Sequence, residues 1–390
     1  MELIDQERTA FKRTEIGEIP KDWKLERIDE FAKIKTGDKD TQDRLEEGSY
    51  PFYVRSQKVE RINSFSFEGE AVLTSGDGVG VGKIFHYLNG KFDYHQRVYN
   101  IHNFRNDVSG KFFYYYFSNH FYDRVMSMTA KSSVDSVRRE MISDMQIPLP
   151  PTLEEQNAIA TTLSNTDDLI AGLEKLIAKK KAIKQGAMQR LLTPPSKGGK
   201  RLPGFSEEWE EKRLSEIAIC LDNLRIPLNQ SQRNDMSGTI PYCGANGIVD
   251  YVNDYTVDDD IILMAEDGGY FDEYKTRPIA YRMNGKCWVN NHAHIIKANS
   301  ENCQNFLFYQ LVHKNIMDYI TGGTRAKLNK SALMNLPVWV VNDLKEQEAI
   351  SRILNDMDIE IEALEAKKTK YEQVKQGMMQ ELLTGKTRLV

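Results

Sequence analysis

Leu153-Glu154-Glu155-Gln156 opens a stretch that closes on Lys184-Gln185-Gly186-Ala187-Met188-Gln189-Arg190-Leu191-Leu192-Thr193. The same stretch returns as Leu344-Lys345-Glu346-Gln347 through Lys375-Gln376-Gly377-Met378-Met379-Gln380-Glu381-Leu382-Leu383-Thr384. Gln156 and Gln347 are 191 residues apart, as are Lys184 and Lys375, so the two copies align without a gap. In the first copy Ile159, Leu163, Thr166, Ile170, Leu173 and Ile177 are spaced 4, 3, 4, 3, 4, the heptad seam of a coiled coil. The second carries Ile350, Leu354, Met357, Ile361 and Leu364, then Lys368 where the next apolar residue is due. Leu153 to Leu192 as one helix would extend roughly 60 Å at about 1.5 Å per residue. A helix that long with one apolar stripe needs a partner, and the other copy is the nearest one. Lys368 marks a place where the second helix either leaves the pair or snorkels its charge outward.

The repeat extends outward from the helices. Ile19-Pro20-Lys21-Asp22-Trp23 answers Leu202-Pro203-Gly204-Phe205-Ser206-Glu207-Glu208-Trp209, and Pro51-Phe52-Tyr53 answers Pro241-Tyr242-Cys243. Ala71-Val72-Leu73 before Asp77-Gly78 answers Ile261-Ile262-Leu263 before Asp267-Gly268, and Ile147-Pro148 answers Leu336-Pro337. Asn89-Gly90 and Asn284-Gly285 each read as a hairpin turn. Ala71–Thr74, Gly82–Tyr87 and Arg97–Ile101 read as strands, as do Ile261–Ala265, Ile279–Met283 and Ala293–Lys297. Lys111–Met126 and Cys303–Ile320 read as helices. The fold expected is therefore α+β: two similar α/β globules, each followed by a long helix, in a tandem internal repeat whose helices would set the globules at opposite ends if they packed antiparallel. The segments are residues 1–150, 151–195, 196–340 and 341–390, with Pro194-Pro195-Ser196-Lys197-Gly198-Gly199 ending the first long helix.

With 390 residues, 40% hydrophobic and 28% charged, the composition is that of an ordinary globular protein with room for two cores. A net charge of −5 neither advertises nor excludes nucleic-acid binding, which depends on local basic surface. Cys220, Cys243, Cys287 and Cys303 form no C-x-x-C pair, which argues for reduced cysteines in the cytoplasm. The charged N-terminus lacks the apolar core of a signal peptide, and no run is long enough to span a membrane.

The catalytic motifs fail one by one. Gly76-Asp77-Gly78-Val79-Gly80-Val81-Gly82-Lys83 has Asp77 where a phosphate loop needs glycine and Ile84 where it needs Ser or Thr. G-x-G-x-x-G fails at Val81 and at Lys83, leaving a glycine-rich turn that would let backbone approach a ligand. His292-Ala293-His294 would need a third ligand for a metal, and none is near in sequence, so no metal is expected. No nucleophile elbow, H-E-x-x-H, kinase set, base-amine methylation motif or nuclease carboxylate motif is present, and the chain reads as non-catalytic.

What remains is polarity suited to a duplex. In the first half it comprises Arg55, Ser56, Gln57, Lys58, Ser75, Lys83, Gln96, Arg97, Lys131, Ser132, Ser133, Arg138 and Arg139. In the second it comprises Asn246, Lys275, Arg277, Asn290, Asn291, His292, Thr324, Arg325, Lys327 and Lys330. Arg, Asn and Gln make paired contacts to guanine and adenine, while Lys, Ser and Thr suit phosphates. What lifts them above ordinary solvated residues is their match across the halves: Gln96-Arg97 against Asn291-His292, and Lys131-Ser132-Ser133 against Gly322-Gly323-Thr324-Arg325.

Gly17-Glu18-Ile19-Pro20-Lys21-Asp22-Trp23, Leu202-Pro203-Gly204-Phe205 with Trp209, Ile147-Pro148-Leu149-Pro150-Pro151 with Glu155-Gln156, Leu336-Pro337 with Glu346-Gln347, and the twice-used Lys-Gln-Gly-x-Met-Gln-x-Leu-Leu-Thr together resemble the specificity (S) subunit of type I restriction–modification systems. The resemblance covers nearly the whole chain. It implies two target-recognition domains, about residues 14–150 and 200–340, each reading one half of a bipartite DNA target. They would be separated by an antiparallel coiled coil of the two long helices, about 151–195 and 341–390, that relates the halves by a pseudo-two-fold and sets the unread gap. It also implies that the helices dock two methyltransferase subunits. Gln156, Lys184, Gln185 and Gln189, with Gln347, Lys375, Gln376 and Gln380, are expected on that outer face. Restriction subunits would complete the assembly. S-adenosylmethionine, ATP and magnesium would belong to those partners, leaving this chain without a cofactor. Two other classes stand against this reading: a solitary nucleic-acid-modifying enzyme with a dispersed site, and a coiled-coil scaffold without a DNA role.

Overall fold

The two heptad stretches form helices of equal length, Leu153–Leu191 and Leu344–Leu382. The computed structural model describes residues 10–128, 136–322 and 326–389. It divides into two units, Met1–Glu174 with Ala366–Val390, and Lys175–Glu365. The division cuts across both helices, so each unit contains one mixed globule, part of the helix that follows it and part of the other helix.

In the first unit six strands lie in the order Lys33–Thr36, Val98–His102, Phe67–Ser75, Phe85–Tyr94, Tyr50–Tyr53, Glu60–Ile62. All pair antiparallel except Tyr50–Tyr53, which runs parallel to Phe85–Tyr94. The helix Gly110–Ser127 buries Phe112, Phe113, Phe117 and Phe121 in the unit's main core. A separate antiparallel pair, Lys24–Arg27 with Gln146–Leu149, leads through Pro150-Pro151 into the central long helix.

The second unit repeats this plan with a break. Ala218–Cys220, Ala293–Ala298, Ile261–Ala265 and Ala280–Met283 form one sheet, and Gly247–Val252, Ser237–Gly244, Lys286–Val289 and Val257–Asp258 form another. Neither Asn-Gly pair makes the hairpin its composition suggests. In the first unit the strand Phe85–Tyr94 runs through Asn89-Gly90, and Gly90 (φ 145°) sits opposite Gly69 (φ 136°) on the neighbouring strand. Two facing glycines take up a backbone conformation that other residues rarely adopt, and the pairing runs on through them. In the second unit Asp259 faces Gly285, still exchanging backbone hydrogen bonds of 3.1 and 3.4 Å, and both strands are interrupted there. The one long ribbon is thus split between two sheets.

Two element bounds are also shorter than expected. The strand expected from Gly82 begins at Phe85, because Gly78–Gly80 forms a 3-10 turn first. The helix expected over residues 303–320 is Gln304–Leu311, followed after a gap by the turn Met317–Tyr319. Asn315 there accepts a hydrogen bond from Met317 N–H at 3.2 Å and so starts a local turn instead of continuing the helix.

Within each unit the two helices run antiparallel. Asp167 meets Lys375 and Glu174 meets Lys368 in the first; Lys180 meets Glu360, Lys181 meets Glu365 and Lys184 meets Asp358 in the second. Ile159 and Leu163 pack into the first core beside Leu382 and Leu383, and Ile350 and Leu354 into the second beside Leu191. Burying each such side chain is worth about 1.5–3 kcal/mol, against about 0–1 kcal/mol for a surface ion pair. The apolar seam therefore supplies the adhesion, and the ion pairs fix the register. Lys368 does not end the pairing: it binds Glu174 at 2.9 Å and Glu372 at 3.3 Å.

Four of the eight residues assigned to the outer, partner-facing side are turned inward. Gln156 is 1% exposed; its Oε1 accepts from Ser109 N–H at 2.8 Å and its Nε2 donates to the Asp107 and Pro150 carbonyls. Gln347, also 1% exposed, accepts from Cys303 N–H and donates to the Val341 carbonyl and to Asn302 Oδ1. Lys184 binds Asp358 beneath Tyr309, and Lys375 binds Asp167 beneath Tyr115. Tyr309 and Tyr115 donate to those same carboxylates at 2.6 and 2.8 Å. Gln185, Gln189, Gln376 and Gln380 are exposed. Among the described residues no helix is long and apolar enough to cross a membrane.

Candidate nucleic-acid interface

Three loops of the first unit converge where the strand Phe67–Ser75 ends. Gly76 N–H donates to the Arg97 carbonyl at 2.8 Å, and Val137 N–H donates to the Gly76 carbonyl at 2.7 Å. His95 N–H donates to the Tyr53 carbonyl at 2.9 Å, and Arg97 N–H donates to His95 Nδ1 at 2.8 Å. Burial, with the nearby charge of Arg55 second, pushes the His95 pKa down, which keeps that ring nitrogen an acceptor. Asp77 projects from this frame to Arg55 Nη1 at 2.7 Å and more loosely to Arg97 Nε at 3.8 Å. Its backbone bridges to Ser136.

The second unit builds the same frame from different residues. Glu266 N–H donates to the His292 carbonyl at 2.8 Å, and Leu328 N–H donates to the Glu266 carbonyl at 2.7 Å. Asn290 N–H donates to the Cys243 carbonyl at 3.1 Å, and His292 N–H donates to Asn290 Oδ1 at 2.8 Å. Asp267 reaches His292 Nδ1 at 2.6 Å, and its backbone bridges to Lys327. Two adjoining clefts of about 610 and 310 Å³ share His292, Asn290 and Val249 as walls. Asn229, Gln232 and Arg233 line the larger, and Asn246 the smaller.

Charged groups brace this second frame from beneath. Arg225 binds Glu266 and, at 3.2 Å, Asp222; Lys327 binds Glu266 at 2.8 Å. His294 Nδ1 meets Asp222 at 2.7 Å and Nε2 meets the Leu328 carbonyl at 2.8 Å. Burial raises the Asp222 pKa, but the hydrogen bond and charge of His294 and the Ile295 N–H outweigh it and hold the carboxyl at about 2. The folded state thus binds this proton less tightly than the unfolded chain, so stability rises with pH through the window. The contribution is full above pH about 4 and is lost as pH falls towards 2. Thermal unfolding against pH should show a shallower acid decline for Asp222→Asn than for the parent; equal slopes would count against the His294–Asp222 pairing.

Cys220, Asp222 and His294 bring three ligand-type atoms within 4.8 Å of one another, a set that sequence distance conceals. Both His294 nitrogens are already engaged, and burial with Asp222 beside it pushes the Cys220 thiol up to about 12. The trio is a satisfied hydrogen-bond cluster in this structure.

The sequence-derived candidates sort unevenly onto these frames. Arg55, Arg97, Asn246, Asn290, Asn291, His292 and Lys327 belong to them. Gln96 is exposed beside Arg97 and donates to Asp40 at 2.9 Å. Ser75 does not face solvent: it is 1% exposed and donates to the Asp77 carbonyl, holding the loop rather than a phosphate. Ser56 donates to the Lys58 carbonyl, and Lys58 pairs with Glu60. Lys83 lies over the Tyr122 ring. Lys275 lies over Tyr274, and Arg277 over Tyr270 with Glu273 beside it, so both cations are tied to their own segment. Gln57, Arg138, Arg139 and Lys330 are exposed. Lys131, Ser132, Ser133, Thr324 and Arg325 lie outside the described residues. Asp77, Asp267 and Glu266 are not among the sequence candidates, because acids look unsuited to DNA. The available signal was that Asp77-Gly78 and Asp267-Gly268 recur at matching places in the two halves.

The sequence matches the family described as type I restriction modification DNA specificity domain over residues 20–185 and 206–376. A Haemophilus influenzae protein named as a type I restriction enzyme specificity subunit is 37% identical over 156 residues, spanning 40% of this chain and 38% of that protein. The MjaVIII specificity subunit of Methanocaldococcus jannaschii is 26% identical over 421 residues, spanning 97% of this chain and 96% of its own. Among solved structures, the type I restriction–modification S subunit from M. genitalium superposes with a TM-score of 0.70 at 18% identity, over 92% of this chain and 96% of that one.

Proposed function

The chain belongs to the type I restriction–modification DNA specificity family, and on that premise we propose that its two globules each read one half of a bipartite duplex target. It is a specificity subunit, a non-catalytic member of its system. The observation that carries the two-reader proposal is the duplicated loop frame, which keeps its backbone hydrogen bonds in both units while its exposed side chains differ. That is what two readers of different half-sites need. The paired helices keep four of six seam positions, Ile159, Leu163, Ile170 and Leu173 recurring as Ile350, Leu354, Ile361 and Leu364, and keep the locking residues Asp167 and Lys184 as Asp358 and Lys375, as a spacer serving one kind of partner twice would. On this reading the helix length sets the unread gap, and two methyltransferase subunits dock, one per repeat, with restriction subunits joining them. S-adenosylmethionine, ATP and magnesium are handled by those partners in the cytoplasm.

The test is reconstitution. Purified alone, the chain should transfer no methyl group to DNA; with the modification subunits it should direct methylation to one defined target. Methyl transfer or cleavage by the chain alone would favour the solitary enzyme. Partner assembly without any sequence preference would favour the scaffold.

Gly186 and Gly377 supply a second check on docking. Each lies inside a long helix, 191 residues from the other, and a Cβ there would meet nothing within 4 Å. Glycine in a helix costs about 0.5–1 kcal/mol relative to alanine, and among the described residues nothing packs against either site to compensate. Close approach by a partner accounts for both, beside exposed Gln185 and Gln189 and exposed Gln376 and Gln380. Gly186→Ala with Gly377→Ala should stabilise the free chain by about 1–2 kcal/mol in urea unfolding. Gly186→Trp with Gly377→Trp should reduce capture of the modification subunit. Unchanged capture would move the docking face elsewhere.

A further inference from the structure

Resting on the two-reader proposal, we infer that Arg97 and His292 are equivalent specificity-determining side chains, one per half-site, and that Asp77 and Asp267 are the residues that position them. Four features place Arg97 and His292 at the same point of the two frames. Each carbonyl accepts from the residue that follows the strand, Gly76 or Glu266. Each N–H donates to the side chain two residues earlier, His95 or Asn290. Each of those preceding residues donates its own N–H to the matching strand, at Tyr53 or Cys243. Each polar head faces the aspartate that follows the loop's first residue: Asp267 meets His292 Nδ1 at 2.6 Å, and Asp77, hydrogen-bonded to Arg55, lies 3.8 Å from Arg97 Nε as a longer ion pair.

With the backbone fixed this tightly, the side chain is the variable part. Arg97 is 65% exposed and His292 41% exposed, so both are available to a groove. Asp77 attracts Arg97 from its Nε edge at 3.8 Å, leaving the terminal nitrogens as a fork suited to guanine N7 and O6. Asp267 occupies Nδ1 of His292, which leaves Nε2 as the single ring nitrogen for a base edge. The first unit would thus read its base with two hydrogen bonds and the second with one. The other frame cations do not share this duplication: Arg55 has Ala245 at the matching position, and Lys327 is bound to Glu266. The carboxylates act through the cations, restricting side chains that would otherwise sample many rotamers and discouraging their use as loose phosphate contacts.

The test uses the complete methyltransferase complex on a DNA library randomised across the target, with methylated sites read by sequencing. Arg97→Ala should relax one base position in one half-site, with preference falling about tenfold to a hundredfold. His292→Ala should relax one position in the other half-site, by about fivefold to tenfold for one lost hydrogen bond. Asp77→Asn and Asp267→Asn should relax those same positions while the melting temperature of the chain stays unchanged, a result that a merely structural role does not give. Should Arg97→Ala fail to fold, Arg97→Gln keeps a polar chain of similar reach without the fork and is read in the same way. A uniform loss of methylation with the motif intact, or relaxation in both half-sites, overturns the assignment. A parent complex with no bipartite motif overturns the two-reader proposal itself. A bipartite parent motif that no Arg97 or His292 variant alters overturns this assignment alone.

Discussion

Arg388→Met should destabilise the first unit by about 3–5 kcal/mol, the largest effect of any single exchange considered. Arg388 bonds Asp22 at 3.0 and 2.9 Å and Glu155 Oε2 at 2.8 Å, with a further bond from its Nε to Glu155. Glu155 is buried at the first turn of the central long helix, whereas Asp22 is half exposed. Methionine fills a similar volume but leaves the Glu155 carboxylate buried without a cation, while Asp22 can turn to water. Adding Glu155→Gln should recover most of the loss, because the penalty is the stranded charge and not missing contact area. Urea unfolding of the parent, both single variants and the double variant measures this directly. A cost under about 1 kcal/mol for Arg388→Met would mean that the pair behaves like a surface ion pair. The second unit has the counterpart Arg201–Glu346 at 3.2 Å, where burial pushes the Glu346 carboxyl up despite Arg201. Its salt bridge compensates the buried charge less completely.

Gln156→Leu should cost of the order of 3 kcal/mol, because leucine strands Ser109 N–H and the Asp107 and Pro150 carbonyls, at about 1–3 kcal/mol for each unsatisfied group before relaxation. Ser109 caps the helix Gly110–Ser127, so the loss falls where that helix meets the long one. Native-state hydrogen exchange should show the Ser109 amide protected in the parent and fast in the variant. Gln347→Leu should behave alike at Cys303 N–H. Protection unchanged at both amides would contradict the role of these glutamines as ties between globule and helix.

These two glutamines also show where sequence reasoning stopped. Gln156 stands three residues before Ile159 and Gln347 three before Ile350, a spacing that puts both on the seam face; Lys184 and Lys375 likewise fall on heptad positions seven after Ile177 and Lys368. Polarity suggested exposure, while periodicity already said otherwise. The helices themselves were legible because a period sustained over six positions and repeated at a fixed offset leaves few alternatives. Asn89-Gly90 runs through a strand instead of turning: a turn signature is local, whereas Gly69, the partner that Gly90 faces in the ribbon, is twenty-one residues away. The candidate interface was legible as a set of matching positions and not as a set of contacts. Asp77 to Arg97 and Asp267 to His292 are pairings made by the sheet, and no local pattern announces them. Ser75 looked like a phosphate contact because nothing in its neighbours reveals that the strand end is buried.

The central claim is that each globule reads its own half of the target. Its most direct measurement is the map of methylated adenines written by the complete complex after residues 14–150 are exchanged for the corresponding domain of another specificity subunit. One half of the methylated motif should change while the other half and the spacing between them stay as they were. A motif altered in both halves, or in neither, would contradict the account.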